Sequence, residues 1–432
     1  MVLLCHYWSD EMATMVGTKH YFRELSPWIQ ETLNLFKNKQ DIELHVVAPN
    51  YASNDDLNVS KDNIFYHFYR YSPKKFSAML VPWCKLVVNH AEIFKVAERL
   101  ANVLTGFRMP PRSALKIIHG IQPELIHLYG SENPDYSSVA VKLLADYPML
   151  LTVQGYAYRQ QKSRNPLERL FWKYRVCYEE TINRQVPFMT SSSQTNLEEL
   201  KSQFQENLFF QGCKKKYFVN AITKIPQVNA LTTKKKYDVV FYARIDKNKG
   251  IEDLLEAIKQ LCKEGRNLKV LIMGRGNEEY IQMLKDKIQT DEIEKNIDFL
   301  GFVESHEEVY RLAAQSKVMV LPSHNDGIPN TIREAMFMRL PVVANNIGGI
   351  PRFNENRHCI HLVEKGNIQD LKEGVVKVLD EEGYRNTLIE NSYAEAQEMF
   401  SPEGIYGQLV AAYWGVYEQS NGWDNASKTK RH

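Results

Sequence analysis

The sequence predicts an α/β protein of two Rossmann-like, doubly wound domains, and three observations carry that expectation. Short apolar runs ending in Gly or Pro alternate with amphipathic helical patterns, as buried parallel strands and their crossover helices do. The 432 residues exceed one ordinary hydrophobic core. Apolar periodicity lapses in IPQVNALTTKKKYD, 225–238, where three lysines stand in a row, so the expected domains are 1–225 and 226–400.

In the first half the candidate strands are VLLCH (2–6), ELHVVA (43–48), ELIHLYG (124–130) and MLLTVQG (149–155). The opening MVLLCHYWSD has a short apolar run and no basic leader, so it is expected to be a first strand rather than a signal peptide. The second half repeats the logic with YDVVFY from 237, VLIMG from 270, IDFLGFV (297–303) and VMVLPS (318–323). The last element is a helix over 401–420, with Ser401 as cap, Pro402 at its first position and apolar residues at 405, 409, 413 and 416. The polar stretch 421–432 is expected to be disordered.

Two motifs in the second half carry chemistry. SHNDGIPNTIREAM (323–336) sets Asp326 and Gly327 in a Gly/Pro loop and Glu334 eight positions beyond Asp326, in a helix that Asn330 is expected to cap and whose buried face is Ile332, Ala335, Met336 and Leu340. The free amides of such a first turn, near Asn330 and Thr331, suit a diphosphate, and the two carboxylates suit sugar and ribose hydroxyls. Upstream, the turn after YDVVFY carries Arg244, Lys249 and Gly250. A rigid guanidinium fork and a compact ammonium together neutralise a doubly charged leaving group. Gly274 and Gly276 in GRG let the backbone pass close to a nucleotide.

On these residues the chain resembles the retaining family-4 glycosyltransferases of the GT-B fold, the glycosyl transferases group 1. Their E-x7-E signature is followed by an Ala-Met helix and a PVVA strand, here Pro341 to Ala344, and their G-R-x-x-x-x-K-G turn matches 243–250 except at Ala243. Three further departures stand out: Asp326 replaces the first Glu, Arg352 replaces the acid of the GG-x-P-E loop, and Gln154 replaces the His of a His-Gly pair. The resemblance implies two domains facing each other across a crevice, with the last helix crossing back to the first. It implies that Phe302 and Val303 flank the base and that Gln154 faces the transferred sugar. Gly17, without the usual paired glycine, is the position for backbone approach to the donor phosphates. Retention of anomeric configuration is implied as well. The chain has no D-x-D, so the diphosphate is expected to be neutralised by protein groups, with no metal and no cofactor beyond the donor. UDP-sugar is favoured over GDP-sugar.

Acceptor recognition falls to the first domain, where Arg159, Lys162 and Arg164 follow Gln154 and could hold a phosphate on a lipid-linked acceptor. The stretch 66–88 interleaves aromatics with Arg70, Lys74, Lys75 and Lys85 and suits an anionic membrane surface. Residues 1–230 carry 27 Lys/Arg against 21 Asp/Glu and the remainder 27 against 31, which places the basic excess on that same side. Nucleic acid is a poor partner, since no reading motif accompanies the cations. Six scattered cysteines without C-x-x-C argue against a metal or disulfide framework, and no run approaches the roughly twenty apolar residues that span a bilayer. A cytoplasmic protein, peripheral at the inner face of the plasma membrane, is expected to transfer sugar to a glycan or lipid-linked acceptor in cell-surface polysaccharide biosynthesis. An epimerase or phosphorylase on the same fold, or a non-catalytic binder of sugar nucleotides, remain the alternatives.

Overall fold

The computed structural model describes residues 1–15, 27–50, 56–70, 79–80, 82, 93–107, 110–154, 156–157, 166–192, 195, 197–206, 208–222 and 224–428. Two compact units result: Met1–Ser191, Thr195–Val219 and Tyr406–His432 form one, Ser192–Gln194 and Asn220–Ile405 the other.

In the first unit the strands are β1 (Val2–Leu4), β2 (Leu44–Asn50), β3 (Leu57–Lys61), β4 (Ile64–Arg70), β5 (Ile126–Tyr129), β6 (Met149–Thr152), β7 (Phe188–Ser191) and β8 (Lys215–Phe218). They lie in the order β3-β4-β2-β1-β5-β6-β7-β8, parallel except for the antiparallel pair β3 and β4. That hairpin turns through Asp62 and Asn63, both at positive φ (54° and 64°), the geometry a two-residue turn needs to match strand twist. Strand β4 corrects an expectation. Tyr66, Phe68 and Tyr69, read as part of an interfacial stretch, are buried in the sheet: Ile64, Tyr66 and Phe68 alternate onto one covered face, and Tyr69 packs in the core on the other, while Phe65 stays exposed. Strands β3, β7 and β8 were not expected either; their short, polar-interrupted sequences carry little periodicity.

The second unit holds β9 (Tyr237–Tyr242), β10 (Val270–Met273), β11 (Ile297–Gly301), β12 (Ser316–Leu321), β13 (Val342–Asn345) and β14 (His361–Val363). All are parallel, in the order β11-β10-β9-β12-β13-β14. The chain builds outward from β9 on one side and then from β12 on the other. The order therefore reverses between β9 and β12, and a crevice opens at their carboxyl ends. Helix Ile251–Lys263 buries Ile251, Leu254, Leu255 and Ile258 completely against this sheet.

The units part at Val219/Asn220 rather than at 225/226. Ile225 and Val228 already pack on the second core, and Asn220 Nδ2 donates to the Met399 carbonyl at 3.2 Å. The final helix, Pro402–Lys428, starts as expected, with Ser401 Oγ accepting from the Gly404 amide at 3.0 Å. Ile405, Leu409, Tyr413 and Val416 are buried along one face, and from Tyr406 on the helix belongs to the first unit. There the Tyr413 hydroxyl meets His127 Nδ1 on β5 at 2.8 Å. Helix continues through 421–428, where disorder was expected. No proline interrupts it, and extending a formed helix is far easier than starting one.

Candidate active site

The site forms where β9 and β12 end. After β9 the chain makes a tight turn to Lys249 and Gly250; after β12 it enters the loop that bears Asp326. Lys249 Nζ and Asp326 Oδ2 meet at 2.5 Å, with side chains only 14% and 13% exposed. Ser323 Oγ donates to the same carboxylate oxygen at 3.2 Å. Gly250 (φ 70°) is obligatory: a Cβ there would stand 1.8 Å from the Pro322 carbonyl oxygen. Gly348 and Gly349 bring a third loop in, since Cβ atoms on them would lie 2.0 Å and 2.5 Å from the carbonyl oxygens of Asp326 and Gly327. Arg244, by contrast, is 75% exposed, its guanidinium 3.5 Å from Asp246. Its reach and freedom suit it to a ligand rather than to the fold.

Helix Asn330–Phe337 buries Ile332, Ala335 and Met336, and Leu340 is buried just beyond it. Its cap position is Pro329, not Asn330. Proline has no side-chain acceptor, and Asn330 inside the first turn takes a hydrogen bond from the Arg333 guanidinium instead. The first-turn amides are thereby left without a capping side chain, the condition for meeting an anion. Tyr242 anchors this turn by donating to the Thr331 carbonyl at 2.8 Å. Glu334 is 8% exposed, and burial pushes its carboxyl up to about 7, against the smaller lowering effects of Tyr310 and Arg333. Arg333 is itself buried, and burial lowers it to about 10.

Gly274 and Gly276, the positions expected to let the backbone approach a nucleotide, pack closely on the neighbouring turn. Their Cβ atoms would fall 1.8 Å from the Ala243 carbonyl oxygen and 2.4 Å from that of Ile245, so the close approach is to the neighbouring Arg244 turn. That packing joins the loops after β9 and β10, with the Ile245 amide donating to Arg275 O at 2.8 Å. Phe302 is 55% exposed beside half-buried Val303, and the Arg275 guanidinium lies 4.4 Å over its ring. Gly327 has open space around it. Gln154 belongs to the first unit, exposed just beyond β6. Gly17, Lys74, Lys75, Arg159, Lys162 and Arg164 lie outside the described residues, as do Lys85 and most of 71–88. Sequence reasoning missed Ser323, His324, Asn345 and Arg333, whose polar contacts join segments far apart in the chain. Among the described residues no helix is long and apolar enough to cross a membrane.

Residues 221–395 match the family model "Glycosyl transferases group 1". The chain is 26% identical over 182 residues to the capsular polysaccharide biosynthesis glycosyltransferase CapM of Staphylococcus aureus, covering 42% of this chain and 47% of that protein. It is 26% identical over 175 residues to the alpha-D-kanosaminyltransferase of Streptomyces kanamyceticus, covering 40% and 45%. The chain thus spans less than half the length of these relatives. Among solved structures, a glycosyltransferase from Rickettsia africae superposes with a TM-score of 0.52 at 14% identity, over 96% of this chain and 97% of that one. HepE of Anabaena in complex with UDP gives 0.51 at 14%, over 96% and 99%. Residues 221–395 thus form a glycosyl transferases group 1 domain, and the two parallel-sheet α/β units share the GT-B fold of these structural neighbours.

Proposed function

We propose that the protein is a retaining glycosyltransferase that moves a sugar from a nucleotide-diphosphate sugar to a glycan or lipid-linked acceptor in cell-surface polysaccharide biosynthesis. The observation that carries this reading is the Lys249–Asp326 pair at the switch point of a group 1 domain. As the bond from anomeric carbon to phosphate breaks, positive charge grows on the sugar and negative charge on the diphosphate. Lys249, Arg244 and the amides at Asn330 and Thr331 stabilise the leaving side, which is preorganised electrostatic catalysis. Asp326 orients the sugar and Glu334 the ribose; Phe302 and Val303 flank the base. The acceptor hydroxyl attacks from the leaving-group face and passes its proton to a phosphate oxygen. Neutralisation by these cations makes a bridging metal unnecessary.

A UDP donor is favoured: HepE was solved with UDP, and the polysaccharide relatives CapM and the amylovoran biosynthesis glycosyltransferase AmsK of Erwinia amylovora suggest the pathway class. The acceptor engages the first unit at Gln154 and the cations Arg159, Lys162 and Arg164. Calorimetry with UDP and GDP, followed by incubation of radiolabelled nucleotide sugars with lipid and glycan acceptors, tests the reading. Tight UDP binding and acceptor-dependent transfer are expected. Acceptor-independent conversion of the donor sugar would point to an epimerase, and binding without turnover to a non-catalytic relative.

A further inference from the structure

We propose that His324, acting through Asp253, is a positioning residue that sets the Lys249–Asp326 pair; the inference rests on the donor-site reading above. The stretch from Pro322 to Pro329 has no regular secondary structure, so its place depends on individual bonds. Two come from the side of β13: Asn345 Nδ2 donates to the Ser323 carbonyl at 3.0 Å, and the Gly349 amide approaches the Asp326 carbonyl at 3.4 Å. Toward the turn that bears Lys249, His324 supplies two more. Its amide donates to the Asn248 carbonyl at 2.7 Å, and its ring Nε2 lies 2.8 Å from Asp253 Oδ2. A carboxylate only accepts, so Nε2 carries the proton.

Asp253 stands in the first turn of helix Ile251–Lys263, whose flanking Ile251, Leu254 and Leu255 are fully buried. The imidazole therefore fastens an irregular loop to a core-anchored helix, one residue from Ser323 and two from Asp326. Lys249 is joined to that helix through Gly250 alone, so the same fastening fixes the distance between cation and carboxylate. Asp326, one methylene shorter than Glu, tolerates little drift in that distance. The His324 side chain can be removed while its backbone bond remains, which isolates its contribution.

The test is UDP calorimetry on the full chain. His324→Ala and Asp253→Ala are each expected to weaken UDP binding about tenfold, the scale of one charge-assisted hydrogen bond. His324→Gln, whose side-chain amide can still donate to Asp253, should stay within about twofold of wild type. The double alanine variant should bind no worse than either single one, because both remove the same contact. Unchanged affinity in His324→Ala, no rescue by Gln, or additive losses would each overturn the proposal. Lys249→Ala separates it from the donor-site reading: if that variant loses UDP while His324→Ala keeps it, only the positioning role fails. If Lys249→Ala also binds normally, or wild type ignores millimolar UDP, both fail.

Discussion

The proposed catalytic role of Lys249 and its contact with Asp326 predict two separable effects of removing it. Facing a leaving group, it should lower the barrier to transfer by roughly 3 kcal/mol, so Lys249→Ala is expected to slow transfer about a hundredfold. Because its partner Asp326 is 13% exposed, the same substitution leaves its carboxylate with Ser323 as its side-chain donor among the described residues. Stability should fall by about 1–3 kcal/mol, read as a lower melting temperature in calorimetry; activity within twofold of wild type removes Lys249 from the site. Glu334 yields a pH signature. Burial raises its pKa from 4.5 unfolded to about 7 folded. An acid shifted upward holds its proton more tightly in the folded state, so stability is undiminished below pH 4.5 and declines as pH rises toward 7. Glu334→Gln removes the buried charge and should therefore be more stable than wild type at pH 8, by at most about 3 kcal/mol. That gap should close in denaturant titrations below pH 4.5, while UDP affinity at pH 8 drops in the variant. A gap independent of pH would refute the titration of Glu334.

At the scale of elements, the site is a product of three loops pressed together at glycines. Gly250 is the clearest case, because its φ of 70° and the Pro322 carbonyl 1.8 Å from a virtual Cβ act at once. The left-handed conformation alone costs a non-glycine residue about 1–2 kcal/mol, and the clash must also push the Asp326 loop away. Gly250→Ala is thus expected to lower the melting temperature and abolish UDP binding together, whereas Gly327→Ala, in open space, should leave the melting temperature unchanged. Equal melting temperatures for Gly250→Ala and wild type would contradict this packing. The signature helix Asn330–Phe337 illustrates the limits of local pattern. Its buried face was legible from spacing, but the choice of Pro329 as cap was not, because Arg333 draws Asn330 into a different bond.

For the whole molecule, two solution experiments follow from charge. If Arg244 and Lys249 neutralise the diphosphate as proposed, transfer should persist in excess chelator; loss in chelator restored by Mn²⁺ or Mg²⁺ would show the leaving-group assignment to be wrong. The basic excess of residues 1–230, 27 Lys/Arg against 21 Asp/Glu, predicts attachment to anionic vesicles. Each cation near such a surface contributes roughly 1 kcal/mol, and the Debye length shrinks from about 10 Å at 0.1 M to about 3 Å at 1 M salt. Wild type should cosediment with acidic vesicles at low salt, less at high salt, and less still as the Lys74→Glu, Lys75→Glu variant. Indifference to acidic vesicles at low salt would favour a soluble acceptor. Burial of Tyr66, Phe68 and Tyr69 in β4 already removes three rings from this surface, so the attachment rests on the cations.

By itself the sequence determined the α/β alternation, the two parallel-sheet units and the burial along the last helix, and it singled out the stretches 243–250 and 323–336. Each of these is written in spacing a few residues long: apolar runs for β9 to β13, the eight-residue step from Asp326 to Glu334, the Ser401–Pro402 start. Only the tertiary structure decided which of those residues meet. The reversal of strand order between β9 and β12 brings Lys249 to Asp326 across 77 positions of chain. It also turned Gly274 and Gly276 toward Ala243 and Ile245 and buried Glu334 deeply enough to shift its proton. Close approach and desolvation depend on neighbours supplied by distant segments, and no local periodicity records them.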